Sequence, residues 1–149
     1  MKVFVSSLEE LKAFANDLSH LAQKGDVLLL KGPLGSGKTE FARAFIRSLC
    51  GEKEEVPSPT FTLLQVYDSK KGPLSHFDLY RLELPEDVWE LGLEEALSEG
   101  ITLIEWPERL PPLTLASSLT LTFNILSPTL REVDVFPQGS WTERFKEDG

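Results

Sequence analysis

The sequence has 149 residues, of which 41% are hydrophobic and 26% are charged, as in ordinary soluble globular proteins. Its net charge of −9 and isoelectric point of about 4.7 argue against a broad nucleic-acid surface, because such surfaces are basic, and we expect no DNA binding. The apolar runs are too short to span a bilayer, and no secretory pattern precedes the first helix. The one cysteine, Cys50, excludes an internal disulfide. These features favour a cytoplasmic protein without membrane contact.

The first predicted element is an amphipathic helix over residues 8–22. Leu8, Leu11 and Phe14 begin a series of apolar residues at helical spacing. The residues SLEE, which start at Ser7, have the pattern of a capping box. Gly25 is predicted to cap the C-terminal end of this helix. The run DVLLLK at residues 26–31 follows and predicts a buried strand.

Residues 32–39 read GPLGSGKT, a complete Walker A signature between this strand and a predicted helix that begins at Lys38. Its glycines allow backbone N–H groups to converge on an anion, and the helix adds free N–H groups and the positive end of its dipole. We therefore predict that ATP binds here, with Lys38 reaching the β- and γ-phosphates and the Thr39 hydroxyl ligating Mg²⁺. The residues of the loop predicted to bind nucleotide are Gly32, Leu34, Gly35, Ser36, Gly37, Lys38 and Thr39.

The rest of the sequence alternates strand and helix patterns. We predict further strands over residues 60–67, 74–80, 101–106, 118–126 and 131–136, with a short helix from about residue 84 that Gly92 interrupts and Gly100 ends. The short connection at residues 68–72 implies an antiparallel hairpin, and residues 118–136 form a second, C-terminal hairpin. The tail, residues 139–149, is expected to be an exposed end or a short helix anchored by Trp141 and Phe145.

These elements predict an α/β fold. We expect a three-layer P-loop domain, in which helices flank a mixed central sheet that is parallel near the Walker A loop and antiparallel at its margins. We treat residues 1–149 as one such ATPase domain.

A Walker A loop needs a carboxylate partner for Mg²⁺, usually at the end of a neighbouring strand. Two residues qualify. Glu105 ends the apolar run TLIE, and Asp78 lies on the first hairpin, although either could be a solvated strand residue. Thr60 follows Ser58 and Pro59 at a junction of loop and strand, where a hydroxyl can respond to the γ-phosphate or simply begin a strand.

Four motifs in this order resemble the TsaE family, the ATPase component of bacterial tRNA threonylcarbamoyladenosine synthesis. They are LGSGKT at residues 34–39, VPSPTF at 56–61, HFDLYR at 76–81 and IEWPE at 104–108. The first is shared by many nucleotide-binding proteins, and the other three are what point to this family. The resemblance covers residues 6–108.

The resemblance implies specific roles. Thr39 and Glu105 would hold Mg²⁺, while Asp78 would position water or hold the metal through water. Lys38, Asp78 and Thr60, the last in a switch-like segment, would thus be catalytic. Trp106 would pack beside the nucleotide, and Ser7 would lie near the adenine. The partner would be a TsaB–TsaD-type complex that modifies tRNA, so this chain would meet tRNA only through that complex.

Other functions and roles remain open from the sequence. A small-molecule kinase or a nucleotide-gated scaffold would also use this loop, whereas the Asn-Lys-x-Asp motif of GTPases is absent. His76 reads more simply as a hydrogen-bonded strand histidine, and Arg81 or Arg109 could act as an arginine finger or form surface ion pairs. Glu40 stands where the family usually has a hydroxyl residue, and we expect it to turn away and pair with an arginine of its helix.

Overall fold

The computed structural model describes the backbone of residues 1–59 and 61–148 and the side chains of residues 1–59 and 61–145. Its centre is a seven-stranded sheet with the order β1-β7-β6-β2-β5-β4-β3. The strands are β1 (Lys2–Val5), β2 (Val27–Lys31), β3 (Leu64–Ser69), β4 (Gly72–Asp78), β5 (Ile101–Glu105), β6 (Ser118–Ile125) and β7 (Arg131–Gln138). The helices are α1 (Leu8–Leu21), α2 (Lys38–Cys50), α3 (Asp87–Glu90), α4 (Leu93–Glu99) and α5 (Ser140–Asp148), with a 3₁₀ turn at Pro107–Arg109.

The pairing of the strands confirms the predicted mixed sheet. β2 lies between β5 and β6 and is parallel to both, and β4 is parallel to β5. Both margins are antiparallel, because β3 pairs with β4 on one side and β7 pairs with β6 and β1 on the other. The carboxyl ends of the four central strands therefore meet at one edge of the sheet, which is where ligands bind in open α/β folds.

Each face of the sheet is covered by its own hydrophobic core, which confirms three layers. Leu28 and Leu30 of β2 point to the face that α1, α2 and α5 cover, where Phe41 and Trp141 are fully buried. Val27 of β2 points to the opposite face, where α3 and α4 contribute Val88 and Leu93. Successive residues of a strand face opposite sides, so β2 reads as an apolar run buried on both faces, as parallel strands do.

Several boundaries differ from those that the sequence predicts. β1, a four-residue edge strand held by β7, was not predicted from the sequence. α1 ends at Leu21 and is capped at Ala22, so the prediction of Gly25 as its cap was wrong. β3 begins at Leu64 because the chain turns just before it, with Leu63 at a φ of 66°. The tail forms α5, as one of the two expected alternatives had it.

A buried ion pair fastens α5 beneath the amino end of β2. Asp26 is 1% exposed, and its carboxylate accepts hydrogen bonds from both terminal nitrogens of the Arg144 guanidinium. Ser117 Oγ donates to Asp26 Oδ1 over 2.9 Å, and the Gln23 backbone N–H donates to Oδ2 over 2.6 Å. The carboxylate is therefore fully paired within the chain.

At the same edge of the sheet, the free carbonyl groups at the C-terminal end of α1 are hydrogen-bonded by a lysine. Lys71 Nζ donates to three backbone carbonyls there, those of Ser19, His20 and Ala22. Burial lowers the pKa of Lys71 from its usual 10.5, with a further contribution from Arg144, while Asp26 acts in the opposite direction. None of the helices in the described part of the chain is long and apolar enough to cross a bilayer.

Candidate functional site

The Walker A loop joins β2 to α2 and is shaped by two of its glycines. Gly37, the N-cap of α2, has a φ of 109°, a left-handed conformation that residues with a side chain rarely adopt. Gly32 has a φ of 143°, and a Cβ there would lie 2.7 Å from the Phe123 carbonyl oxygen and 2.8 Å from Ser36 Oγ. Side chains at these two positions would therefore force the loop away from β6 or out of its turn.

Lys38 lies at the start of α2 and is only 4% exposed. Its Nζ donates to the Gly32 carbonyl and lies 3.4 Å from the centroid of the Trp106 ring, which is a close cation–π contact. Burial lowers the pKa of Lys38 from 10.5, whereas the negative charges of Glu105, Glu108 and Asp78 favour the ammonium. The ammonium is thus already directed back over the loop, beside the acidic end of β5.

Thr39 and Glu105 meet across the site. The Thr39 hydroxyl donates to Glu105 Oε1 over 2.9 Å, although Thr39 lies in the first turn of α2 and Glu105 ends β5. Asp78, at the end of β4, is directly opposite Glu105 in the parallel pairing, and the two are 4% and 2% exposed. Two buried carboxylates side by side repel each other unless a cation lies nearby, so this end of the sheet is suited to a positive charge.

The donor set fits Mg²⁺ better than a metal held by protein alone. Within residues 1–59 and 61–145, no group of three or more His, Cys, Asp or Glu side chains could hold a metal ion. Thr39 Oγ1 and Glu105 Oε1, however, are adjacent hard oxygen donors. Mg²⁺ commonly takes one or two protein oxygens and completes its shell with water and phosphate, so these residues fit that ion in the company of a nucleotide.

Trp106 follows β5 in an unusual backbone conformation. Its φ of 60° and ψ of 53° are left-handed, which is uncommon for a bulky residue. The backbone N–H of Trp106 donates to the Leu30 carbonyl over 3.3 Å, and the centroids of the Trp106 and Tyr80 rings are 5.0 Å apart. This turn carries the indole over the loop, where it contacts Lys38.

A cavity of about 450 Å³ brings most of the predicted site residues together. Its lining includes Leu34, Gly35, Ser36, Gly37, Lys38, Thr39, Asp78, Glu105 and Trp106. Gly32 adjoins this group through the hydrogen bond that its carbonyl accepts from Lys38. Thr60, which the sequence predicts as a switch-like residue, lies outside the described residues.

Ser7 belongs to a second cavity, of about 340 Å³, on another side of the same loop. It caps α1 by accepting a hydrogen bond from the Glu10 backbone N–H over 3.1 Å, and residues 35–37 line the cavity beside it. Arg131 of β7 completes the wall and donates from Nη2 to the Gly35 carbonyl over 3.3 Å. No sequence signal pointed to Arg131, because the C-terminal hairpin carries no motif.

The arginines of α2 do not pair with Glu40 as expected. Arg43 donates from Nε to the Val56 carbonyl over 3.0 Å, and Arg47 donates to the Glu54 carbonyl over 3.1 Å. Among the ion pairs of the described chain, none joins Glu40 to either arginine. The prediction was wrong because these guanidinium groups hold the segment before Ser58, and Glu40 lines both cavities instead.

The two arginines considered as arginine fingers are placed differently. Arg109 donates to the Leu82 carbonyl over 3.2 Å and so fastens the 3₁₀ turn. Arg81 lines the larger cavity, and its guanidinium lies 4.6 Å from the ring centroid of Phe61. His76 is a hydrogen-bonded strand histidine, as predicted: it lies in β4, and its Nε2 is 2.6 Å from Glu105 Oε2.

The chain is thus an α/β protein in which a Walker A sequence joins a central strand to a helix, with an acidic residue at the end of the adjacent parallel strand. The model of one family, described as "Threonylcarbamoyl adenosine biosynthesis protein TsaE", matches residues 5–133. The chain belongs to the TsaE family, as its motifs predict.

Individual relatives agree with this assignment. Two proteins named tRNA threonylcarbamoyladenosine biosynthesis protein TsaE are similar to the chain over most of its length. The one from Rickettsia felis is 38% identical over 93% of this chain and 81% of its own, and the one from Rickettsia bellii is 48% identical over 72% and 74%. The crystal structure of Bacillus subtilis YdiB superposes with a TM-score of 0.75, at 31% identity over 99% of this chain and 92% of that one.

Proposed function

We propose that this chain is a single-domain, Mg²⁺-dependent ATPase that serves the threonylcarbamoylation of tRNA adenosine. One observation carries the enzymatic part of the proposal. In a member of the TsaE family, the Thr39 hydroxyl and the Glu105 carboxylate lie 2.9 Å apart at the end of a Walker A loop, beside a buried lysine. That combination supplies the oxygen ligands and the fixed cation that phosphoryl transfer needs.

The two cavities that share the loop support an extended ligand. The phosphates would occupy the larger one, against the backbone N–H groups of residues 35–39 and the Lys38 ammonium. The base would occupy the smaller one, between Ser7 and Arg131. A nucleoside triphosphate has this division into a charged and an aromatic end, and the loop lies between the two cavities.

Each residue of the larger cavity has a role in this proposal. Lys38 would exchange the Gly32 carbonyl and the Trp106 ring for phosphate oxygens, and it would stabilise the charge that develops on the γ-phosphate. Asp78, opposite Glu105, would orient the attacking water. Thr39 and Glu105 would hold Mg²⁺, which, when bound, neutralises phosphate charge during the reaction.

The proposed partner is a TsaB–TsaD-type complex that carries out the chemistry on tRNA. The relatives are named for tRNA threonylcarbamoyladenosine biosynthesis, yet the net charge of this chain is −9. A surface of that sign repels nucleic acid. We therefore infer that tRNA contacts the TsaB–TsaD-type complex and not this chain. In this proposal, ATP turnover by this chain resets that complex.

The test is ATP hydrolysis by the purified chain, alone and with a TsaB–TsaD complex, with Lys38→Ala as the inactive control. We expect slow release of phosphate alone and strong stimulation by the complex, together with threonylcarbamoyl transfer to tRNA. ATP that binds without turnover but changes the affinity for the complex would make the chain a nucleotide-gated scaffold. Transfer of the γ-phosphate to a small molecule would make it a kinase, and the proposed function would be wrong.

A further inference from the structure

Beneath the larger cavity, His76 and Glu105 form a buried pair. Their side chains are 0% and 2% exposed, and the distance from His76 Nε2 to Glu105 Oε2 is 2.6 Å. His76 is opposite Leu103 in the pairing of β4 with β5, so its ring reaches diagonally along the neighbouring strand to Glu105. A contact this short between buried groups constrains both side chains.

The surroundings of the imidazole decide which of its nitrogens carries the proton. Nδ1 is buried and has no hydrogen-bond partner among residues 1–59 and 61–145. A proton on Nδ1 would have no acceptor there, whereas a proton on Nε2 meets a carboxylate oxygen. Nε2 therefore carries a proton and donates it to Glu105 Oε2.

This bond makes the two oxygens of Glu105 different. Oε2 accepts from His76, and Oε1 accepts from the Thr39 hydroxyl over 2.9 Å. The last torsion of a glutamate side chain has broad preferences of its own. The orientation of the carboxylate is consequently set by its hydrogen bonds, and only the bond from His76 is independent of Thr39.

We propose that His76 is a positioning residue for the metal site. By donating its Nε2–H to Oε2, His76 turns Oε1 of Glu105 toward Thr39. Glu105 Oε1 and Thr39 Oγ1 are then both directed at the position proposed for the metal ion. This inference rests on the proposed function, which assigns Thr39 and Glu105 to Mg²⁺. Groups that orient metal ligands in this way are typically worth a factor of 10 to 100 in metal affinity or activity.

The first test compares His76→Gln with His76→Asn. The amide nitrogen of glutamine reaches about as far as Nε2 and can donate to Glu105, whereas that of asparagine reaches only as far as Nδ1. Mn²⁺ would replace Mg²⁺, and its binding would be followed by electron paramagnetic resonance with the non-hydrolysable analogue AMP-PNP. We expect His76→Asn to weaken Mn²⁺ binding by about 10- to 100-fold, and His76→Gln to recover most of the loss. Binding of AMP-PNP in EDTA should be equal in all three proteins.

Equal losses in the two variants, or wild-type Mn²⁺ binding by His76→Asn, would overturn the positioning role while leaving the proposed ATPase intact. If instead wild-type protein with bound AMP-PNP fails to bind Mn²⁺, the metal pair itself is wrong, and with it both proposals. The AMP-PNP measurement in EDTA distinguishes these results from loss of the fold.

A second test uses the unaltered protein and does not depend on the folding of any variant. It has two histidines, His20 and His76, and two-bond ¹H–¹⁵N correlations distinguish their tautomers. His20 Nδ1 lies 2.7 Å from the Asn16 carbonyl, so that ring must carry its proton on Nδ1 and provides an internal reference. We expect His76 in the opposite tautomer, and His20→Gln assigns the signals. A His76 ring protonated on Nδ1 alone would exclude donation to Glu105.

Discussion

The two ends of the central sheet each bury a carboxylate and treat it in opposite ways. At the amino end of β2, Asp26 is 1% exposed and is neutralised by the guanidinium of Arg144. At the carboxyl end of β5, Glu105 is 2% exposed, but its hydrogen bonds come from a hydroxyl and an imidazole, and Asp78 is directly opposite. One end thus balances one carboxylate with one guanidinium, whereas the other gathers the charges of Glu105, Asp78 and Glu108 around a single ammonium, that of Lys38.

This difference separates stability from function. A buried charge with a well-placed partner destabilises the fold little. Removing that partner destabilises it strongly, because an uncompensated charge is left in the interior. Two carboxylates side by side, in contrast, are retained at a cost to stability, which is common where a site must bind a cation. Variants at the two ends should therefore affect different measurements.

The largest expected effect is on turnover by Glu105→Gln. Loss of the carboxylate should lower ATP hydrolysis by about 1,000-fold, equivalent to about 4 kcal/mol, because it removes the charge assigned to Mg²⁺. The free energy of unfolding should stay constant or rise by up to about 1 kcal/mol, since like charges opposite each other destabilise a sheet. Phosphate release and urea unfolding measure the two quantities. Normal hydrolysis would remove Glu105 from the site.

Arg144→Leu should have the converse effect. It leaves Asp26 buried and unpaired, so we expect the free energy of unfolding to fall by about 3 kcal/mol. Hydrolysis per folded molecule should be unchanged. The matched control is the double variant Asp26→Asn with Arg144→Leu, which removes the stranded charge and should recover part of the loss. A single variant as stable as wild type would show that the ion pair does not fasten α5.

Asp78→Asn tests whether the second carboxylate acts on water. We expect ATP binding to persist while turnover falls by about 100-fold, equivalent to about 2.7 kcal/mol. Equilibrium binding of a fluorescent ATP analogue and phosphate release together make this distinction. Intact turnover would leave Asp78 with a structural role alone, such as the bond that its Oδ1 accepts from the Tyr80 backbone N–H over 3.0 Å.

The smallest expected effect concerns Lys71 and pH. Its pKa in the folded state is below 10.5, chiefly through burial, so between the lowered pKa and 10.5 the unfolded chain binds more protons. The free energy of unfolding should then rise with pH in this window. Unfolding of wild type and Lys71→Met, compared across that window, isolates the contribution, and wild type should gain relative to the variant as pH rises. A difference that stays flat or falls would contradict the sign.

The sequence predicts the elements around the candidate site where residue types at short spacing determine them. The Walker A loop, the end of β5 and the interruption of the helices at Gly92 are encoded by residue types at short spacing, and the structure has them. The arrangement of parallel centre and antiparallel margins likewise follows from the order of strands, helices and short connections.

What could not be predicted depends on residues distant in sequence. β1 has only four residues and is a strand because β7 pairs with it. The run TFTL before β3 has strand propensity, yet Leu63 has a left-handed backbone conformation. The Leu63 carbonyl accepts a hydrogen bond from the Asp78 backbone N–H over 3.0 Å, a contact between residues distant in sequence. The contact of His76 with Glu105 joins the motifs HFDLYR and IEWPE, which lie far apart in the sequence and give no sign of touching.

The position of β2 at the centre of the sheet also affects how the protein forms during synthesis. β2 leaves the ribosome early, but its two neighbours, β5 and β6, are translated much later. Asp26 must wait longer still for Arg144. Until β5 and β6 have emerged, the nascent chain presents β2 as an unpaired apolar strand, which is a natural target for chaperones. Over the same period the Walker A loop lacks the β6 backbone that it packs against.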